Sequence, residues 1–155
     1  MRAWWLVVLL VLGGCTGIAP QELEPPEVRL VDLAPAELGL LEQKLEARLR
    51  ILNPNPVALV ARGLRFDLET EGSHLGRGVG NARFTVPALG EKEVTVPLYL
   101  STATLVEKIL ELASGQGITY RLTGDILLAR GAGGTTALPF ESEAALRLPR
   151  LPGAS

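Results

Sequence analysis

The side chains best suited to nucleophilic or metal chemistry are scarce: the sequence has one histidine, His74, and one cysteine, Cys15. A Ser-His-Asp or Cys-His arrangement would have to use His74 as its base. Its neighbours Glu71, Gly72 and Ser73 indicate a hairpin tip, where no second element supplies a nucleophile. A zinc site needs several nitrogen or sulfur ligands, which one histidine and one cysteine do not provide. We therefore expect no catalytic residues, no metal site and no cofactor.

Two other patterns imitate functional motifs. Residues 76–80, Gly-Arg-Gly-Val-Gly, suggest a phosphate loop, but such a loop precedes a helix, and 81–85 alternate like a strand. We expect a glycine-rich connection over 72–80 that contains a bulged or twisted hairpin. Acidic residues two positions apart lie on the same face of an extended strand. This spacing indicates a solvated face rather than the acid and base of a glycosidase. These pairs are Glu22 and Glu24, Glu69 and Glu71, and Glu141 and Glu143.

Composition narrows the class of protein. The 155 residues are 47% hydrophobic and 21% charged, which suits one globular domain. Fifteen Lys and Arg against 17 Asp and Glu leave a net charge of -2, so there is no cationic surplus for nucleic acid. Aromatic residues make up only 5%, which is poor material for stacking bases or sugars.

Residues 1–14 predict a signal peptide. Arg2 supplies the positive start, and 4–12 form an unbroken apolar run, about half of the roughly 20 residues that a membrane-spanning helix needs. The stretch Leu12-Gly13-Gly14-Cys15 resembles the lipobox of bacterial lipoproteins. Small residues let an extended chain enter a peptidase groove, and the Cys15 thiol is the nucleophile that receives a diacylglyceryl group. Cys15 is thus the expected lipid attachment site, the alternative being an incidental thiol in an ordinary leader.

Residues 15–26 are interpreted as a lipidated tether, because their prolines favour extended backbone. Resemblance to lipoproteins implies at least two acyl chains, which anchor a protein stably to a membrane. Thr16 stands where some envelope systems place the Asp associated with inner-membrane retention. We expect the outer membrane or the outer face of the plasma membrane. Cys15 is the sole cysteine, so the domain must be held together by its core.

From Glu27 onward, apolar and polar residues alternate, which predicts antiparallel strands with one wet face. Asn53-Pro54-Asn55-Pro56 ends the clearest strand, because proline lacks the ladder donor. We expect both asparagines to hydrogen-bond their own turn rather than a ligand. The alternating apolar positions are Val28 and Leu30; Leu45, Ala47, Leu49 and Ile51; Leu64, Phe66 and Leu68; Ala82 and Phe84; Val94, Val96 and Leu98; Ile118, Tyr120 and Leu122; Ile126 and Leu128; and Leu138, Phe140, Ala144, Leu146 and Leu148.

One segment has helical spacing instead. Apolar residues within 105–113 recur every three or four positions, which predicts one amphipathic helix of about three turns. Thr104 with Glu107 forms a candidate capping box, Ser101 is the alternative N-cap, and Gly115 is placed to end the helix. Its polar face lacks the basic residues that anionic lipid attracts, so we expect it to pack on the sheets.

About seven strands and one helix predict a mainly β fold, a two-sheet antiparallel sandwich of immunoglobulin-like type over 27–150, with a tail at 151–155. The antibody type itself is disfavoured, because the domain lacks a cysteine pair and a tryptophan.

The ordered set of motifs resembles a known family. These motifs are Asn53-Pro54-Asn55-Pro56, a glycine-bearing hairpin around Gly76, Pro87 with Gly90, Val94-Thr95-Val96-Pro97, the capped helix, Tyr120-Arg121-Leu122-Thr123-Gly124 and Leu138-Pro139-Phe140. Together, over roughly 26–149, they resemble the type 2 late embryogenesis abundant proteins, which carry the water-stress and hypersensitive-response (WHy) domain. The resemblance implies a folded, fibronectin-III-like sandwich with a helix. The lipoprotein leader departs from the plant members.

The resemblance implies a non-enzymatic protein that protects against desiccation or related stress. The lipobox separately predicts that Cys15 anchors this protein to the envelope membrane. A second hypothesis is a binding or accessory subunit of an envelope complex, or a carrier of an apolar ligand in the mouth between the sheets. Other envelope proteins are therefore candidate partners, and nucleic acid is not. An enzyme is the third hypothesis, kept only because a missing motif does not exclude catalysis.

Overall fold

The computed structural model describes residues 22–71, 73–113 and 118–146. Predictions about the signal peptide, Cys15, the tether before residue 22, Gly115, Leu148 and the tail lie outside these residues. Within them, the elements in chain order are β1 (Glu27–Leu38), β2 (Glu42–Leu52), β3 (Leu59–Thr70), β4 (Ser73–Gly80), β5 (Phe84–Val86), β6 (Glu91–Ser101), α1 (Thr102–Ala113), β7 (Ile118–Ala129), a 3-10 turn (Gly131–Gly133) and β8 (Thr135–Leu146). No helix in this part of the chain is long and apolar enough to span a membrane.

Alternation of apolar and polar residues does produce strands with one buried face. In β2, Ala47, Leu49 and Ile51 have no exposed surface, whereas Arg48 and Arg50 between them are exposed. Successive side chains of a strand point to opposite faces, so this pattern places the aliphatic residues in the core. The predicted mainly β, antiparallel class is confirmed.

The predicted division into two separate sheets is not confirmed. Hydrogen bonds join the strands in one antiparallel sheet of order β1-β2-β6-β4-β3-β7-β8, and β5 pairs with the start of β3. The edge strands β1 and β8 contact each other, so the sheet curls into a half-barrel. The alternation of apolar and polar residues indicates only that each strand buries one face. A curled sheet satisfies this requirement as well as two stacked sheets do.

The glycine-rich segment, which we expected to be a connection, is strand β4. It forms a bulged hairpin with β3, as predicted, with a register shift between Leu68 and Glu69. Its other edge pairs with β6 only from Gly76 to Gly78. Without this short ladder, the strands would fall into two sheets. A Cβ on Gly76 would overlap the carbonyl oxygen of Tyr99, so glycine permits the close approach that joins the two halves.

The core lies on the concave face of the sheet. Phe66 on β3, Leu98 on β6, and Leu122 and Ile126 on β7 are at most 1% exposed. Burying an aliphatic or aromatic side chain of this size stabilises a fold by roughly 1.5–3 kcal/mol. The other buried apolar residues are Val28, Ala47, Leu49, Ile51, Leu59, Ala61, Leu64, Leu68, Val86, Val96, Leu100, Tyr120, Leu128, Leu138 and Phe140.

The predicted helix is confirmed as α1, which begins directly after Ser101. Buried Gln43 donates from Nε2 to Thr102 Oγ1 at 2.9 Å, and the Thr102 amide donates to the Leu41 carbonyl at 3.1 Å. These bonds attach the start of the helix to the turn between β1 and β2. Most apolar side chains of the helix are outside the described set, so its packing against the sheet stays a prediction.

Candidate functional site

The Asn-Pro-Asn-Pro motif forms the turn between β2 and β3. Asn53 and Asn55 are buried, at 1% and 4% exposure, whereas Pro54 and Pro56 face the solvent. A buried amide without partners would destabilise the fold by about 1–3 kcal/mol for each unsatisfied group. The hydrogen-bond partners of the two asparagines therefore show what the motif does.

Asn53 uses both ends of its side-chain amide. Its Nδ2 donates to the Val57 carbonyl at 2.8 Å and to the Pro87 carbonyl at 2.9 Å. Its Oδ1 accepts from the backbone amide and from the side-chain Nδ2 of Asn55, both at 3.0 Å. Since an amide offers two donors and one oxygen with two lone pairs, the side chain of Asn53 is fully occupied.

Asn55 connects the turn to the segment that enters the domain. Its Oδ1 accepts from the Glu24 amide at 2.8 Å, and its Nδ2 donates to the Glu24 carbonyl at 2.9 Å. In the backbone, the Asn53 amide donates to the Gly90 carbonyl, and the Leu89 amide donates to the Asn55 carbonyl. We call Asn53 and Asn55 with these partners the asparagine junction.

The asparagine junction confirms one sequence prediction and adds to it. The bond from the Asn55 amide to Asn53 Oδ1 lies within the turn, as expected. The bonds to Glu24 and Pro87 span 31 and 34 positions in the sequence, and no local sequence pattern predicts them. Because the amides are occupied, the motif acts as a structural junction of three segments rather than as a ligand site.

Two loops at the asparagine junction expose only apolar side chains. We define the apolar tip as the exposed residues of the loops 53–58 and 87–90, namely Pro54, Pro56, Val57, Ala58, Pro87, Ala88 and Leu89. Leu89 is 71% exposed and has a φ of 50°, a conformation that glycine and asparagine adopt far more readily than leucine. No side chain of the apolar tip carries a charge.

His74 lies on β4, next to the hairpin turn, and is exposed. Its Nε2 is 3.0 Å from Asp67 Oδ1, which also accepts from Arg77 Nε at 2.9 Å. In a catalytic triad, one histidine nitrogen faces a nucleophile and the other faces the acid. The observed contacts join His74 and Arg77 of β4 to one carboxylate of β3. The part of the chain that the structure describes holds no group of three or more metal-ligating side chains.

Charged residues on the outer face of the sheet pair across neighbouring strands. The hydrogen bond to Glu93 raises the pKa of Arg50, and the bond to Glu143 raises that of Arg121. The acidic pair Glu141 and Glu143 is thus paired with an arginine on β7, as a solvated face would be. The cross-strand pairs include Lys44 with Glu37, Arg48 with Asp32, Arg50 with Glu93, Arg77 with Asp67, Arg65 with Asp125, and Arg121 with Glu143.

An open cleft of about 560 Å³ lies beside Gly124. Pro25, Asp67, Thr123 and Asp125 contribute to its walls, with further residues from β8. Ligand pockets for apolar molecules are enclosed and mainly apolar. This cleft is open, and the carboxylates of Asp67, Asp125 and Glu141 are part of its lining, so it does not resemble a carrier site.

The chain is similar to a known protein family and to several solved structures. The family model described as late embryogenesis abundant protein matches residues 48–144. No curated protein matches the sequence significantly. A solution structure from Arabidopsis thaliana is 15% identical, with a TM-score of 0.62 over 89% of this chain and 91% of that one. A crystal structure of an Archaeoglobus fulgidus protein is 18% identical, with a TM-score of 0.47 over 84% of this chain and 100% of that one. The likeness to the Arabidopsis structure is one of fold.

Proposed function

We propose that this chain, which belongs to the late embryogenesis abundant family, is a non-enzymatic protein. On this proposal, it protects other molecules during water stress. We further propose that its domain is of the WHy type and that a lipid on Cys15 anchors it to the cell envelope. On this proposal it is exported and lies at the outer membrane or at the outer face of the plasma membrane. Its partners are the membrane and other envelope proteins.

The observation that carries the proposal is the set of cross-strand ion pairs on the outer face. Among the described residues, these pairs link five of the neighbouring strand pairs: β1–β2, β2–β6, β3–β4, β3–β7 and β7–β8. Exposed pairs of this kind contribute little to stability in dilute solution. Their even distribution instead makes the outer face of the sheet polar and locally neutral, which suits weak contacts with many molecules rather than tight binding of one.

Drying changes the value of these ion pairs. As water leaves, the effective dielectric constant around the surface falls, and the attraction between opposite charges increases. A charge that already has a partner in its own domain then needs no new one. We infer that the folded surface persists as water is removed and separates neighbouring proteins that would otherwise aggregate.

The binding alternatives receive less support from the described residues. A carrier of an apolar ligand needs an enclosed apolar cavity, whereas the concave face is packed with buried side chains such as Phe66 and Leu98. For an enzyme, His74 would need a nucleophile, and its observed partner is Asp67. We therefore keep the protective role as the proposed function.

A drying assay tests the protective role. A labile dehydrogenase is dried and rehydrated with the purified full chain or with an equal mass of an unrelated β-sandwich domain. We expect more activity to survive with the full chain. A matched variant, Arg48→Gln with Asp32→Asn, keeps the net charge and removes one ion pair, and we expect somewhat less protection. Equal survival with the unrelated domain would overturn the protective role.

Cell fractionation tests the anchor separately. We expect the natural chain to fractionate with membranes and Cys15→Ala to be released from them, with Thr16→Ala as a control that stays bound. If Cys15→Ala still fractionates wholly with membranes, the lipid is not what holds the protein there.

A further inference from the structure

The apolar tip is unusual for a pair of loops. Exposed loops are ordinarily rich in polar and charged residues, because their backbone and side chains face water. Here the only polar side chains of 53–58 and 87–90 belong to Asn53 and Asn55, which are buried. The asparagine junction thus turns the amides inward and leaves proline, alanine, valine and leucine outside. A contiguous exposed apolar surface indicates an interaction site.

The apolar tip is also held in a fixed shape. Leu89 adopts a left-handed conformation that is unfavourable for a branched apolar residue, and its amide donates to the Asn55 carbonyl at 2.9 Å. Its side chain is 71% exposed, so packing within the domain does not explain the choice of leucine. The hydrogen-bonded loop therefore presents Leu89 outward at the expense of backbone strain.

The chain leading to Cys15 leaves the domain at this same end. Asn55 holds both backbone polar groups of Glu24, and Cys15 lies nine positions before Glu24. Nine residues reach at most about 30 Å when fully extended. The strands, such as the twelve-residue β1, extend for about 40 Å away from this end. An orientation with the opposite end on the membrane would place Glu24 beyond the reach of the tether.

Charges near the apolar tip have both signs. Glu24, Glu27 and Glu91 lie beside it, together with Lys92, and all are exposed. Such a mixed border gives no strong preference for anionic lipid, and the apolar contacts would determine binding. A zwitterionic bilayer is the surface that this arrangement fits.

We propose that the apolar tip lies in the boundary between headgroups and acyl chains of the membrane to which Cys15 anchors the protein, so that the strands stand away from the bilayer. This inference rests on the lipid anchor of the proposed function. Leu89 and Val57 are the large hydrophobic side chains that the apolar tip exposes, at 71% and 41% exposure. The tether and the apolar tip together would set one orientation of the domain.

Quenching by lipid tests the orientation. The lipidated full chain, whose Cys15 thiol is consumed by its lipid, is reconstituted in phosphatidylcholine vesicles with a fluorescent label on Leu89→Cys. The control carries the label on Leu40→Cys, which is 94% exposed in the turn at the opposite end. We expect nitroxide-bearing phosphatidylcholine to quench the label at 89 several-fold more than the label at 40, and aqueous iodide to do the reverse. Ala88→Cys provides a second position on the apolar tip if Leu89→Cys folds poorly.

The outcomes separate the orientation from the anchor. Equal quenching at both positions, or stronger lipid quenching at 40, in a protein that floats with the vesicles overturns the orientation alone. A protein that does not float overturns the anchor and, with it, this inference. A benzophenone on the same cysteine is expected to crosslink to lipid in native envelopes. Crosslinking to a protein instead would mean that a protein partner covers the apolar tip.

Discussion

The aromatic ring of Phe66 occupies the space that a side chain on Gly78 would need. A Cβ on Gly78 would lie 2.8 Å from Phe66 Cδ1 and closer still to two other ring atoms. The two residues are direct cross-strand partners, and on its other side Phe66 is paired with Gly124, which in turn pairs with Phe140. Glycine and phenylalanine thus alternate along one row across four strands, and each ring lies above a glycine.

Gly78→Ala should destabilise the domain by about 3 kcal/mol, because the methyl group would collide with the ring of Phe66, which is buried in the core. The measurement is the midpoint of urea unfolding. Gly131→Ala is the control, since a Cβ there meets no atom within 4 Å and the backbone needs no glycine. Equal midpoints for both variants would mean that the ring of Phe66 can move aside.

Asn53→Ala should lower the free energy of unfolding by about 3 kcal/mol. The variant removes the bonds to Val57, Pro87 and Asn55 and leaves buried carbonyl groups without donors. Urea unfolding checks this value, and Asn81→Ala, at an exposed position between β4 and β5, provides the control. A small effect at Asn53 would show that water can replace the asparagine junction.

Leu89→Asn should leave the domain as stable as before or raise its stability by up to about 1 kcal/mol, because asparagine tolerates the left-handed conformation better than leucine. Thermal unfolding measures the change. Val57→Asn exchanges another exposed apolar residue where φ is negative, so we expect no gain. A loss of stability at position 89 would indicate that the leucine packs against the domain.

The stability of the domain should fall as the pH rises above 10. Burial raises the pKa of Tyr120 above its usual 10.0, so the unfolded chain loses this proton before the folded one does. Stability is fully present below the unfolded pKa and declines as pH rises toward the folded pKa. Tyr120→Phe should reduce this decline, as measured by urea unfolding from pH 8 to 11. Tyr99→Phe, at an exposed position, should retain it.

The sequence allowed the strands to be predicted because each buries one face. Ala47, Leu49 and Ile51 follow that rule without exception. Alternation does not indicate which strands are neighbours. The sequence therefore did not predict that β4 and β6 pair from Gly76 to Gly78 and join the strands in one sheet. Glycine has no side chain to alternate, and a glycine-rich strand therefore has the composition of a loop.

The asparagine junction was predicted only in its local part. A turn that contains Asn and Pro is a local signal, since each proline removes a donor and each asparagine can bond its own backbone. The partners at Glu24 and Pro87 depend on how distant segments meet. The apolar tip was missed for the same reason, because its two loops are separated by 28 positions between Ala58 and Pro87 and adjoin only in the fold.

The edge strands β1 and β8 are poorly suited to pairing with strands of other molecules. Pro35 in β1 and Pro139 in β8 lack the amide that a further strand would bond, and β1 is interrupted by irregularities on both sides of Pro35. The two edges also meet each other as the sheet curls. Copies of this protein concentrated by evaporation therefore offer one another few places to extend their ladders, and a dense layer of them resists conversion into fibrils.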